Sequence, residues 1–129
     1  MKALVVDDSG ITRRILVDTL QSIGFTEVLE AADGKSAIES LVPGLDIILT
    51  DWNMPGMAGI ELIRTLRQNP DYANIPTLMI MSRNVKSDVV EASQAGISSY
   101  LMKPFTREML REKISELLPN GGTATGTNG

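Results

Sequence analysis

Apolar residues along the chain fall into two alternating patterns. Short continuous runs rich in Val, Ile, Leu and Met, at 2–6, 27–31, 46–50, 77–81 and 99–102, read as strands. Most lack polar alternation, as expected where helices cover both faces of a sheet. Between the runs, apolar residues recur at helical spacing. Ile11, Ile15, Leu16, Leu20 and Ile23 form one stripe, closed by Gly24. Ala37, Ile38, Leu41 and Val42 form a second, opened by Asp33 and stopped by Pro43 and Gly44. Leu62, Ile63 and Leu66 mark a third helix, Val89, Val90 and Ala92 ahead of Gly96 a fourth, and Met109, Leu110, Ile114, Leu117 and Leu118 a fifth. The alternation predicts an α/β fold: a (βα)5 doubly wound sandwich on a five-stranded parallel sheet, with no internal repeat.

A chain of 129 residues has room for one domain of this kind. Residues 119–129 hold four glycines and no charge, so they bury too little apolar surface to offset the entropy of ordering them. They are expected to form a flexible tail, leaving residues 1–118 as the folded domain. Sixteen acidic against twelve basic residues give a net charge of -4, the wrong sign for gripping phosphate backbones, so no nucleic-acid partner is expected. No apolar run exceeds four residues, which predicts neither a membrane span nor a signal peptide and places the protein in the cytoplasm.

The chain contains no histidine and no cysteine. Imidazole bases, thiol nucleophiles and thiolate metal sites are excluded, and chemistry falls to carboxylates, hydroxyls, amines and backbone. In an open parallel sheet, ligands bind beyond the carboxyl ends of the strands. That rule selects Asp7 and Asp8 after the first strand, Asp51 at the end of the third, Ser82 at the fourth, and Lys103 with Pro104 at the fifth. Taken singly, an Asp or Ser after a strand is most often a turn residue or the N-cap of the next helix. Taken together, three carboxylates at one sheet edge repel one another and call for a cation. Oxygen-only donors favour Mg2+, with Lys103 neutralising the remainder.

The segments Val5-Val6-Asp7-Asp8-Ser9, Leu49-Thr50-Asp51-Trp52-Asn53-Met54-Pro55-Gly56, Ser82, and Tyr100-Leu101-Met102-Lys103-Pro104-Phe105 occur in order and at matching spacing. In these the chain resembles the receiver domain of two-component response regulators, most of all its single-domain chemotaxis members, over residues 2–118. The resemblance implies a flavodoxin-like strand order of 2-1-3-4-5. It also implies that Asp51 is the phosphoacceptor. Asp8, Asp51 and the backbone carbonyl of Asn53 would hold Mg2+, with Asp7 acting mainly through bound water. Ser82 and Lys103 would contact the phosphoryl oxygens, and Tyr100 would turn inward as Ser82 shifts. A cis Lys103-Pro104 bond is implied as well.

The function so implied is a phosphorylation-controlled signalling switch, not a turnover enzyme. A histidine kinase or small phosphodonor would supply the phosphoryl group. A downstream target, such as the flagellar motor or another chemotaxis component, would read the face built from the fourth helix, fifth strand and fifth helix. Three positions depart from the family pattern: Arg83 stands where a small residue is usual, Ser82 replaces Thr, and Ala58 replaces an Asp before Gly59. Two other functions compete. A constitutive interaction module would keep the fold without the switch, with Arg83 in its favour. A magnesium-dependent phosphohydrolase would also place acids after parallel strands, yet neither Asp7 nor Asp51 is followed two residues later by the Asp such enzymes use, and a cap is lacking.

Overall fold

Five parallel strands, β1 (Lys2–Val6), β2 (Glu27–Ala31), β3 (Ile47–Asp51), β4 (Thr77–Met81) and β5 (Ser99–Met102), form one sheet in the order β2-β1-β3-β4-β5. Five helices connect and follow them: α1 (Gly10–Ser22), α2 (Gly34–Glu39), α3 (Gly59–Gln68), α4 (Lys86–Ala95) and α5 (Arg107–Leu117). The computed structural model describes residues 1–52, 59–82 and 86–118. Asn53, Ala58, Arg83 and residues 119–129 therefore lie outside the described residues.

The central strands bury both faces, and their period of two divides the core. Val5, Leu49 and Ile80 face α1 and α5, packing with Leu16, Leu20, Leu110 and Ile114. Leu4, Ile48 and Met79 face the other side, packing with Leu62, Ile63 and Leu66 of α3. Edge strand β2 instead exposes Glu27 and Glu30.

Helix starts follow the capping chemistry of the sequence. Ser9 accepts a hydrogen bond from Thr12 N, Asp33 from Ser36 N and Thr106 from Met109 N. Gly24 and Gly96, with φ of 107° and 106°, close the α1 and α4 ends in the left-handed conformation that favours glycine.

Several expectations are corrected. β3 runs one residue later than 46–50, and Asp46 instead accepts a hydrogen bond from Lys2 N at 2.8 Å. α2 stops at Glu39, so Leu41 and Val42 lie beyond it, although both still pack on the core. Ser40 turns its hydroxyl back onto Ser36 O, and Pro43 disfavours helical backbone at Val42. Three stripe members are exposed: Ile11 at 80%, Val90 at 46% and Met109 at 41%. Each lies in the first or second turn of its helix.

Candidate functional site

The strand order reverses direction at β1, which carries β2 on one side and β3 on the other. That reversal opens the crevice where a doubly wound sheet binds its ligand. Asp7 follows β1 and is fully buried. Its amide donates to Ala31 O at 3.1 Å, its Oδ1 accepts from Ser9 N at 2.8 Å, and its carbonyl accepts from Arg13 Nη1 at 2.7 Å. Arg13 is steadied in turn by Glu30 at 2.9 Å. Asp8, the next residue, is exposed. Asp51 ends β3, paired in register with Ile80 of β4, and is 5% exposed.

These three aspartates bring a carboxylate oxygen each within 4.8 Å of one another. Lys103 follows β5, where its amide donates to Met81 O at 2.7 Å. From there its Nζ lies 3.6 Å from Asp51 Oδ1 and 4.0 Å from Asp7 Oδ2. The adjoining Lys103-Pro104 peptide is cis. One ammonium thus faces two of the three carboxylates, those of Asp7 and Asp51. Desolvation is the main cause that pushes the Asp51 carboxyl above its ordinary value, and the neighbouring Asp7 charge adds to it while Lys103 opposes it. Burial likewise pushes Asp7 up, against the Ser9 hydrogen bond and Lys103.

Asp7 Oδ2 and Asp51 Oδ1 are buried and have no hydrogen-bond partner among the described residues. Oxygens of that kind, crowded and short of donors, suit a small hard divalent cation, so the residues present fit Mg2+. Ser82 follows β4 at this same end of the sheet and is exposed. Tyr100 sits in β5 opposite Met79, half-buried against the core on the α3 side. It is not part of the acid cluster. The structure therefore brings Asp7, Asp8, Asp51 and Lys103 together, places Ser82 at their end of the sheet, and holds Tyr100 one strand away.

Two contributors were not read from the sequence. Arg13 left no signal, because its partners Asp7 O and Glu30 meet only after β1 and β2 pair. Gly59 opens α3, where a Cβ would run into the carbonyl oxygen of Asp51, and its amide donates to Trp52 O at 3.0 Å. A glycine in a helix's first position was the available hint of close backbone approach.

Comparison with known proteins supplies a second line of evidence. The family profile described as response regulator receiver domain matches residues 3–115. The chain is 43% identical over 118 residues to the chemotaxis protein CheY of Pseudomonas aeruginosa, covering 91% of this chain and 95% of that one. It is 42% identical over 120 residues to CheY1 of Helicobacter pylori, covering 92% and 97%. Among solved structures, the chemotaxis response regulator CheY4 of Vibrio cholerae superposes with a TM-score of 0.84 at 35% identity, over 91% of this chain and 98% of that one.

Proposed function

The chain belongs to the response regulator receiver domain family, and from that premise we propose that it is a signalling switch thrown by phosphorylation of Asp51. The observation that carries this reading is the buried Asp51 carboxylate, crowded by Asp7 and Asp8 and faced by Lys103 at 3.6 Å. CheY-type receivers are signalling proteins and not turnover enzymes. The proposed chemistry is therefore one self-catalysed transfer and its reversal by hydrolysis.

An Asp51 oxygen attacks the phosphorus of the donor. The bond from phosphorus to the donor's imidazole nitrogen, or to the acyl oxygen of a small phosphodonor, breaks with its electron pair staying on the donor. The product is an aspartyl phosphate. These 129 residues hold no histidine, so a phosphohistidine donor must lie outside them, and a histidine kinase is the proposed one. Asp8, Asp51 and the carbonyl of Asn53 would hold Mg2+, with Asp7 acting mainly through water, and the bound ion supplies positive charge against the transferring oxygens. Lys103 adds a second positive charge, and Ser82 donates its hydroxyl to a phosphoryl oxygen. The strand backbone keeps Asp51 aimed, so positioning and electrostatics account for the acceleration.

The output follows from position. Ser82 joins β4 to the α4 side, and Tyr100 lies in the neighbouring strand. A shift of Ser82 toward the phosphoryl group lets Tyr100 turn inward and reshapes the α4-β5-α5 face for a downstream target. Carrying a two-state population from 1:99 to 99:1 requires about 5.5 kcal/mol of differential stabilisation. The relatives are named as chemotaxis proteins, and the target proposed for this chain is a chemotaxis component such as the flagellar motor, read in the cytoplasm.

Incubation with acetyl phosphate and Mg2+ is expected to add one phosphoryl mass to the wild type and none to Asp51→Asn. Equal labelling of both would overturn the assignment. Multiple turnover on a phosphomonoester would favour the phosphohydrolase reading instead, and target affinity unmoved by beryllofluoride would favour the constitutive module.

A further inference from the structure

At the end of the sheet opposite the acid cluster, the half-buried guanidinium of Arg67 joins four segments. Nε donates to Gly96 O at 2.9 Å, Nη1 to Ile75 O at 2.9 Å and Tyr72 O at 3.5 Å, and Nη2 to Thr77 Oγ1 at 3.0 Å. Those acceptors belong to the α3–β4 connection, the first residue of β4, and the turn from α4 into β5. Only a planar fork reaches acceptors in three directions; an ammonium on a flexible stem does not.

The neighbouring geometry is built around this side chain. Gly96 has a φ of 106°, and a Cβ on it would lie 3.1 Å from both Cγ and Nε of Arg67. Thr77 Oγ1 also accepts from Ser98 N at 3.3 Å, while Thr77 N donates to Ser98 Oγ at 3.0 Å. Arg67 thus sets the start of β5, a short step before Tyr100. Elsewhere on α4, Val89 and Ala95 pack partly buried on the α3 side of the core. Among its described side chains only Ala92 is fully buried, Val90 is exposed, and Arg64 meets Glu91 at 3.4 Å in an exposed pair. Exposed pairs of that kind contribute little.

We propose that Arg67 is the positioning residue of the switch's fixed end, pinning the last turn of α4 and the start of β5 to α3 and β4. A shift at Ser82 then moves α4 from its N-terminal end and is delivered to Tyr100, and does not dissipate as a slide of the whole α4–β5 unit. Small residue sets that absorb a hinge motion are a common device of switching folds. The inference deepens the phosphoacceptor reading of Asp51 and rests on it.

Amide hydrogen exchange by mass spectrometry, with Mg2+ and with or without beryllofluoride, tests the pin in wild type, Arg67→Gln and Thr77→Val. Fluorescence of Trp52, the chain's single tryptophan, reports occupancy of the site in the same samples. In wild type, beryllofluoride is expected to alter exchange within 86–95 and to leave 96–99 unchanged. In Arg67→Gln, segment 96–99 should exchange about tenfold faster, as loss of a hydrogen bond to a charged group implies. The beryllofluoride-dependent change should spread into that segment while the Trp52 titration midpoint stays put. Thr77→Val, which removes the acceptor shared by Arg67 Nη2 and Ser98 N, should move exchange at 96–97 the same way by less, even if Arg67→Gln proves too unstable to purify. A loss of stability alone would not redistribute the beryllofluoride response. Variants whose response keeps the wild-type boundaries would overturn the pin alone. A wild type whose Trp52 ignores beryllofluoride would overturn the phosphoacceptor reading, and the pin with it.

Discussion

Asp7 and Asp51 sit where a carboxylate charge is costly, and the cost has measurable signs. Because burial raises their proton affinity in the folded state, the cation-free protein binds protons there more tightly than the unfolded chain does. Stability is therefore expected to rise as pH falls from neutral through their raised values toward the ordinary aspartate value. Asp33 works the other way. As the α2 N-cap it accepts from Ser36 N, which holds its carboxyl below the ordinary range, and its contribution is lost as pH falls through that lowered value. Urea denaturation in EDTA, compared at neutral pH and about pH 5, should show the rise in wild type and a smaller one in Asp51→Asn. At neutral pH that variant should also melt higher than wild type by about 3 °C, having lost a buried charge. Lys103→Ala has the opposite sign. It leaves Asp7 and Asp51 without the ammonium that faces them, so it should melt lower, and its labelling by acetyl phosphate should slow about 10²-fold, as when one oxyanion donor is removed.

Among the elements, α3 is fitted to the site by the absence of a side chain. Gly59→Ala would drive a methyl group into the Asp51 carbonyl, and backbone cannot step aside as a flexible side chain can. The expected loss is about 2 kcal/mol in equilibrium unfolding, with weaker Mg2+ binding because Asp51 itself is displaced. α1 presents the reverse case. Ile11 is 80% exposed in its first turn, and Thr12 and Ile15 of the same helix line a cleft with Lys103, Pro104 and Phe105. An uncovered apolar rim beside Lys103 and the proposed phosphoacceptor suits an incoming protein donor. Ile11→Asp should leave labelling by acetyl phosphate within about twofold of wild type, since surface changes cost little stability. Transfer from the cognate histidine kinase should slow by a larger factor, which parallel time courses would reveal.

For the whole molecule, the proposed cation binding would be linked to folding, since the unfolded chain does not assemble Asp7, Asp8 and Asp51. Mg2+ at about 100 times its dissociation constant should stabilise the fold by about 2.7 kcal/mol, and EDTA should reverse it. Thermal melts across a Mg2+ series would show this in wild type and a much reduced shift in Asp8→Asn. Much of this was legible in the chain. The apolar runs placed five strands, four of them at their observed bounds, and put Asp7, Asp51, Ser82 and Lys103 at strand ends. Legibility failed where a residue's fate depends on what covers it. Ile11, Val90 and Met109 keep helical spacing, yet each is exposed. Arg13 and Arg67 gave no sign of their roles because most of their acceptors are backbone carbonyls, which any residue supplies, brought within reach only by the fold.

Alternating apolar runs and helical stripes determined the layered α/β fold, since side-chain period follows directly from backbone geometry. The acids at strand ends, with no histidine or cysteine in the chain, carried the proposed class of chemistry. Tertiary structure alone decided how close Asp7, Asp8 and Asp51 come, which of them lose water, and which carbonyls Arg13 and Arg67 hold. Those properties depend on through-space distance and burial, and no local pattern encodes either until the strands have found their neighbours.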